Sequence, residues 1–248
     1  MSAPKPSTER IDLLRWVAGL GSVTSESLAC RRGVAVASAR ATLGAAVRAR
    51  QLTRHRPLTG RPALYTITRA GLRCSALVGI EPGRVSPAGA QHMIVCAFAA
   101  AALERRYPDQ IVIGERELRR REREAGTPFA SVVLRRVGEH GALMHRPDLV
   151  LVPRSNPPQR PVAVEVELAI KAPRRLAEIC RAWARARHVD GVLYLAPPAV
   201  ERALDRAIES TQACERIVVV PLDSLGHGLA PGNERPRPRE ASQATPSV

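Results

Sequence analysis

At 248 residues and 45% hydrophobic composition, the chain is long enough to bury a core and too apolar to be disordered throughout, although aromatics at 3% leave that core to Ala, Val and Leu. Against 23 Asp and Glu stand 38 Lys and Arg, nearly all arginine, and the resulting +15 favours a polyanionic partner, nucleic acid first, with an Arg- and Ala-rich composition bias as the plain alternative. The five cysteines (Cys30, Cys74, Cys96, Cys180, Cys214) show no CxxC spacing, which argues against a zinc ribbon or a disulfide framework and for a reducing cytoplasm.

The polar start of the chain has no apolar signal core, and the longest apolar stretch, Met93 to Leu103, is too short to span a bilayer. No membrane partner is expected, and cytoplasmic localisation is. Residues 1–8 read as a disordered leader. Ser7-Thr8-Glu9-Arg10 offer capping residues before Ile11, Leu14, Val17 and Ala18 at helical spacing, and Gly19 and Gly21 end that helix. Thr24-Ser25-Glu26 restarts a short helix that breaks at Gly33. A third helix, from about Val34 to Arg50, turns Ala39, Leu43, Ala46 and Val47 inward and carries Ser38, Arg40, Thr42 and Arg48 on its other face. Leu52–Arg56 and Ala63–Thr68 then read as strands around a turn at Pro57–Arg61, and helix resumes at Arg69.

Three helices and a basic hairpin, closing on Tyr65-Thr66-Ile67-Thr68-Arg69-Ala70-Gly71, resemble a winged helix-turn-helix over residues 9–78. The resemblance implies a third helix in the major groove and a hairpin on the backbone or minor groove of DNA. Arg54, His55, Arg56 and Arg61 cluster at the hairpin tip, where positive charge serves phosphate contact better than folding. With Ser38, Arg40 and Arg48 they form the candidate DNA-binding set. A small helical domain devoted to dimerisation or packing is the alternative.

Residues 79–90, rich in Gly and Pro, read as a linker to a second domain at 91–225. That domain opens with an apolar helix from about Gln91 to Arg106, in which His92 is either a ligand or base or a structural histidine at a helix end. A strand at Ile111–Ile113 leads into a charge-dense helix, GERELRRREREAG, whose i,i+4 pairs such as Glu117 with Arg121 are worth only about 0.3 kcal/mol each and describe a solvated face. Residues 125–145 stay open between strand and helix turn. Leu149–Val152 reads as a strand, Ala172–Arg187 as a helix, Gly191–Leu195 as a strand, Pro198–Ser210 as a helix and Ile217–Val220 as a strand: an α/β layout, α+β overall. Residues 226–248 read as a disordered tail.

Between those strands lies Pro161 to Lys171, PVAVEVELAIK. Its period-two alternation puts Glu165 and Glu167 on one face of a strand and the valines on the other. Pairing with the strand after Asp148 brings three carboxylates towards one patch, which needs a cation or a basic partner such as Arg174 or Arg175. An exposed edge strand and a strand-start aspartate are the plain alternatives.

Pro147-Asp148 followed by Glu165-Val166-Glu167 and a strand-to-helix switch resembles the PD-(D/E)xK nuclease superfamily, a mixed sheet flanked by helices. Together with the winged helix and the GERELRRR segment, the chain resembles the replication-relaxation family of mobile elements, which is similar to one class of plasmid mobilisation relaxases. The resemblance implies Mg²⁺ bound by Asp148 and Glu165, with Glu115 as a further metal ligand, and a catalytic set of Asp148, Glu165, Glu167 and Lys171. It departs from the family pattern where the superfamily's lysine belongs, since Glu167 stands there and Lys171 lies further on. The expected function is therefore DNA binding in plasmid replication, relaxation or mobilisation with a degenerate nuclease-like domain. An active Mg²⁺-dependent nickase is one alternative, and a transcriptional regulator or protein-interaction module another. Expected partners are double-stranded DNA, replication or mobilisation proteins and a second copy of the chain. Tyr65, Tyr107 and Tyr194 stand in no recognisable motif, so a covalent tyrosine mechanism has no support.

Overall fold

The Ser7 side chain accepts the amide of Arg10 and so caps the first helix, α1 (Thr8–Leu20), which stops at Gly21 with φ 89°. Ser7 and Thr8 thus belong to the helix rather than to a leader. The computed structural model describes residues 7–138, 141–155 and 159–226; the rest of the expected leader and residues 227–248 of the expected tail lie outside them. Among the described residues it is a mixed α/β chain of eight α-helices and nine strands, with no helix long and apolar enough to cross a membrane.

Thr24 and Ser27 cap α2 (Ser25–Arg32) reciprocally, each side chain accepting the other's amide, and the helix ends at Gly33 in the left-handed conformation. α3 (Val36–Arg48) has no side-chain cap and buries Ala39, Leu43 and Ala46, while Val47 is half-buried. β1 (Leu52–His55) and β2 (Leu64–Ile67) pair antiparallel, and Val23 adds a bridge to Tyr65. The short α4 (Arg69–Cys74) closes this unit over a core that includes Leu13, Leu14, Val17, Leu28, Leu43 and Ile67.

The apolar helix begins earlier than expected. α5 (Pro87–Arg106) is capped by Ser86, with Pro87 in its first turn, where the missing amide costs nothing. Residues 87–90 are therefore helix, and the segment before them is packed: Ile80 is buried and the Gly83 amide donates to the Ile67 carbonyl. After α5 come β3 (Gln110–Gly114), α6 (Glu115–Ala125), a hairpin of β4 (Val132–Val137) and β5 (Gly141–His145), then β6 (Leu149–Pro153), β7 (Val162–Val166), α7 (Pro173–Arg185), β8 (Gly191–Ala196), α8 (Pro198–Ser210) and β9 (Ile217–Pro221). The region left open between strand and helix turn is thus a hairpin, bulged between Val133 and Arg135.

The main sheet runs β3-β6-β7-β8-β9, antiparallel through β7 and parallel from β7 to β9, with α7 and α8 as the crossovers. Both faces are covered. Val95, Ala99 and Leu103 of α5 meet Leu149, Leu151, Val164, Val166 and Leu195 on one side. Trp183, Ile179 and Cys180 of α7, with Leu204 of α8, meet Val150, Ala163, Val192 and Tyr194 on the other. Each fully buried Val, Leu or Phe in such a layer stabilises by about 1.5–3 kcal/mol.

The two units share an interface. Ala101 of α5 belongs to the same core as α1 and α2. Glu104 accepts from the Trp16 indole at 3.0 Å and from Arg31 at 2.6 Å, and Arg31 also reaches Asp12 at 2.6 Å while lying 4.8 Å over the Trp16 ring. At the end of β3, a Cβ built on Gly114 would stand 2.6 Å from the Gly19 carbonyl oxygen and 2.8 Å from Leu20 Cα, so α1 approaches closer than any side chain permits.

Candidate functional site

On the first unit, Arg40, Arg54, Arg56 and Arg61 line one groove of about 920 Å³ between the helices and the hairpin, together with Ser25, Gly60 and Tyr65. Strand alternation explains the selection. Arg54 and Arg56 project to one side and are exposed, whereas His55 turns away and its Nε2 lies 2.9 Å from Thr66 Oγ1. Ser38 and Arg48 are exposed on α3 but do not line the groove. Glu26 is the one carboxylate in the lining, so the groove presents an excess of guanidinium donors suited to bidentate phosphate contact.

On the second unit, Asp148 stands just before β6, where the β6–β7 ladder runs out at Leu149 and Val164. Its Oδ2 takes the amide of Val166 at 2.8 Å, filling the place of the next strand residue. His92, in the first turns of α5, holds Nε2 3.0 Å from the Val166 carbonyl and 3.3 Å from Asp148 Oδ2. One helical turn on, Cys96 Sγ lies 3.5 Å from His92 Nδ1 and 3.7 Å from Nε2. The Glu115 amide donates to the Asp148 carbonyl at 3.0 Å. His92, Cys96, Glu115 and Asp148 line a cavity of about 210 Å³ at the junction of the two units, with Arg84 and Arg116 also in its wall.

The other carboxylates have partners of their own. Glu165, only 5% exposed, faces the α7 layer, and its Oε1 meets His145 Nε2 at 2.6 Å. The His145 ring in turn packs edge-on to Trp183, centroids 5.8 Å apart. Glu167, 6% exposed, pairs with Lys171, and the Glu115 carboxylate pairs with Arg119 at 2.6 Å. Arg175, expected as a counter-charge for the strand, pairs with Glu178 instead. Lys171 thus reaches back to neutralise Glu167.

The hydrogen bond to Asp148, opposed by burial and reinforced by the Asp148 charge, raises the His92 pKa. Burial, followed by the charges of Asp148, Glu165 and Glu115, pushes the Cys96 thiol well up. Burial also raises Glu165, and the His145 contact offsets part of that rise. The Asp148 charge thus reaches Glu165, and all three carboxylates reach Cys96, without forming one oxygen cluster.

Mg²⁺ asks for oxygen donors in near-octahedral order. Glu165 is turned to His145, Glu115 to Arg119, and the donors beside Asp148 are a ring nitrogen and a thiol. This set does not fit the Mg²⁺ site that the resemblance implies. Cys96 and His145 are the residues that sequence reasoning passed over. The i,i+4 spacing of His92 and Cys96 on a helix was a readable signal, whereas the pairing of His145 with Glu165 depends on a hairpin crossing the sheet face. Compared with protein-family models, curated proteins and solved structures, the chain matches none.

Proposed function

We propose that the chain is a DNA-binding protein of a mobile genetic element, of the replication-relaxation type, in which a winged-helix unit grips duplex DNA and a nuclease-like unit serves as a scaffold without cutting. The observation that carries this reading is the convergence of Arg40, Arg54, Arg56 and Arg61 on a single groove. Supporting it is the order of α1, the Val23 bridge, α2, α3 and the β1–β2 hairpin, which is that of a winged helix. The order α5, β3, β6, β7, α7, β8, with an antiparallel meander followed by a parallel crossover, likewise supports a nuclease-like second unit. The loss of cutting rests on Glu167 in the lysine's place with Lys171 as its counter-ion, and on Glu165 sealed against His145.

Fluorescence anisotropy on duplex DNA tests the proposal. Binding is expected to weaken steeply with salt and to need no divalent metal. The double variant Arg54→Ala, Arg56→Ala is expected to lose most of that affinity, and unchanged binding would remove the groove as the DNA surface. Supercoiled plasmid is expected to stay intact with Mg²⁺ or Mn²⁺. Nicking that disappears in Asp148→Ala would overturn the scaffold role.

A further inference from the structure

We propose that His92, Cys96 and Asp148 form a binding site for a divalent transition-metal cation, with Zn²⁺ the best match, independent of the DNA-binding reading. One donor atom from each residue lies within 4.8 Å of the other two. Nε2 of His92 is 3.3 Å from Asp148 Oδ2 and 3.7 Å from Cys96 Sγ. Tetrahedral zinc bond lengths place nitrogen and oxygen donors about 3.4 Å apart, and nitrogen and sulfur donors about 3.6 Å apart. His92 is thus near ligand spacing from both partners, with Sγ and Oδ2 within 4.8 Å of each other, and an ion bound there would displace the Nε2 proton that now points to the Val166 carbonyl. Backbone structure fixes all three positions: His92 and Cys96 sit one turn apart on α5, and Asp148 is held by the Val166 amide.

Charge around the cavity singles out the same place. Two carboxylates line it, Glu115 and Asp148, and Glu115 has Arg119; beyond the lining, Glu165 has His145 and Glu167 has Lys171. Asp148 has only His92 as an ion partner among the described residues, so of the two carboxylates that line the cavity it is the one without a Lys or Arg counter-ion. Arg84 and Arg116 also line the cavity, but Arg116 is engaged with the carbonyls of Glu81 and Pro82. A thiolate and a carboxylate together neutralise a divalent ion. The thiolate and imidazole select a borderline-soft cation over Mg²⁺ or Ca²⁺. Three protein donors leave a fourth position for water in the cavity of about 210 Å³.

The test uses Co²⁺ as a spectroscopic stand-in for Zn²⁺, on the full chain with Cys214→Ser to remove the exposed thiol. A thiolate-to-cobalt charge-transfer band is expected to saturate at one ion per chain, to vanish on adding Zn²⁺ and to persist in excess Mg²⁺. Cys96→Ser is expected to abolish the band, and His92→Ala to weaken binding by more than about 100-fold, the upper end of what even an outer-shell change costs. No band, a band that survives Cys96→Ser, or displacement by Mg²⁺ overturns the site. Should Cys96→Ser fail to fold by circular dichroism, Asp148→Asn carries the test, because it retains an oxygen for the Val166 amide. In that variant the band must remain but need more than about 10-fold more Co²⁺ to saturate, and an unchanged midpoint overturns the proposal.

Discussion

His145 Nε2 and Glu165 Oε1 lie 2.6 Å apart, joining the end of the β4–β5 hairpin to the centre of the main sheet. A buried carboxylate without a partner is among the costlier defects in a folded protein, so His145→Ala is expected to cost about 3 kcal/mol in urea unfolding. Its pH dependence identifies the cause. Burial raises the Glu165 pKa, and the folded chain therefore holds a proton that the unfolded chain releases. Stability from this group falls as pH rises above the ordinary carboxylate value. Without His145 that fall deepens, so the deficit of the variant should be small in acid and grow towards neutral pH. A deficit that does not change with pH would mean that packing on Trp183, not charge, is what His145 contributes.

Glu122 has the opposite sign. Burial opposes its charge, yet the Ser131 hydroxyl and the amides of Phe129, Ala130 and Ser131 outweigh that opposition and hold its carboxyl below the usual range. Its contribution is present above the ordinary carboxylate pKa and is lost as pH falls through the depressed folded value. Glu122→Ala leaves three amides, two of them buried, without an acceptor and is expected to cost about 3 kcal/mol at neutral pH, with the gap to the parent closing in acid. Equal stability at neutral pH would refute the anchoring role.

Gly114→Ala places a methyl group against the Gly19 carbonyl and Leu20 Cα, both backbone atoms that cannot swing aside. Overpacking of this kind typically costs about 1–3 kcal/mol, and the urea midpoint should fall accordingly. A midpoint within error of the parent would show that α1 is free to shift.

The groove predicts which arginines matter. Arg40→Ala and Arg61→Ala are each expected to reduce the salt slope of DNA binding by about 0.9, the value of one phosphate contact. Arg48→Ala, exposed on α3 but outside the groove, should leave the slope unchanged. If Arg48 matters as much as Arg40, DNA lies along the length of α3 instead.

Local rules made much of this fold readable. Thr24-Ser25-Glu26 and the stop at Gly33 marked α2, and the alternation of Val162, Val164 and Val166 marked the central strand and the face its glutamates take. Reading failed where composition masked packing. Ser86-Pro87 looked like linker because Gly and Pro surround it, although Pro is at home in a first helical turn. Glu122 was lost in a run of charges that spoke for a solvated face, because its donors lie beyond the helix, just before β4. The division of four carboxylates among Arg119, His92, His145 and Lys171 depends on which layer each side chain enters, and a strand pattern gives the face but not the neighbour.

The knot of Trp16, Arg31 and Glu104 bears on how this protein can be divided. Residues 79–90 look like a natural seam, yet a fragment ending there would strip the Trp16 indole of its acceptor and Arg31 of one of its two carboxylates. A fragment starting at α5 would carry Glu104 and the apolar Ala101 face into water without their mates. Each half would be born with half an interface showing. Deletion series or proteolytic trimming that treats the connector as a hinge will yield pieces prone to self-association, and solubility lost on cutting there reflects the missing neighbour rather than a misplaced boundary.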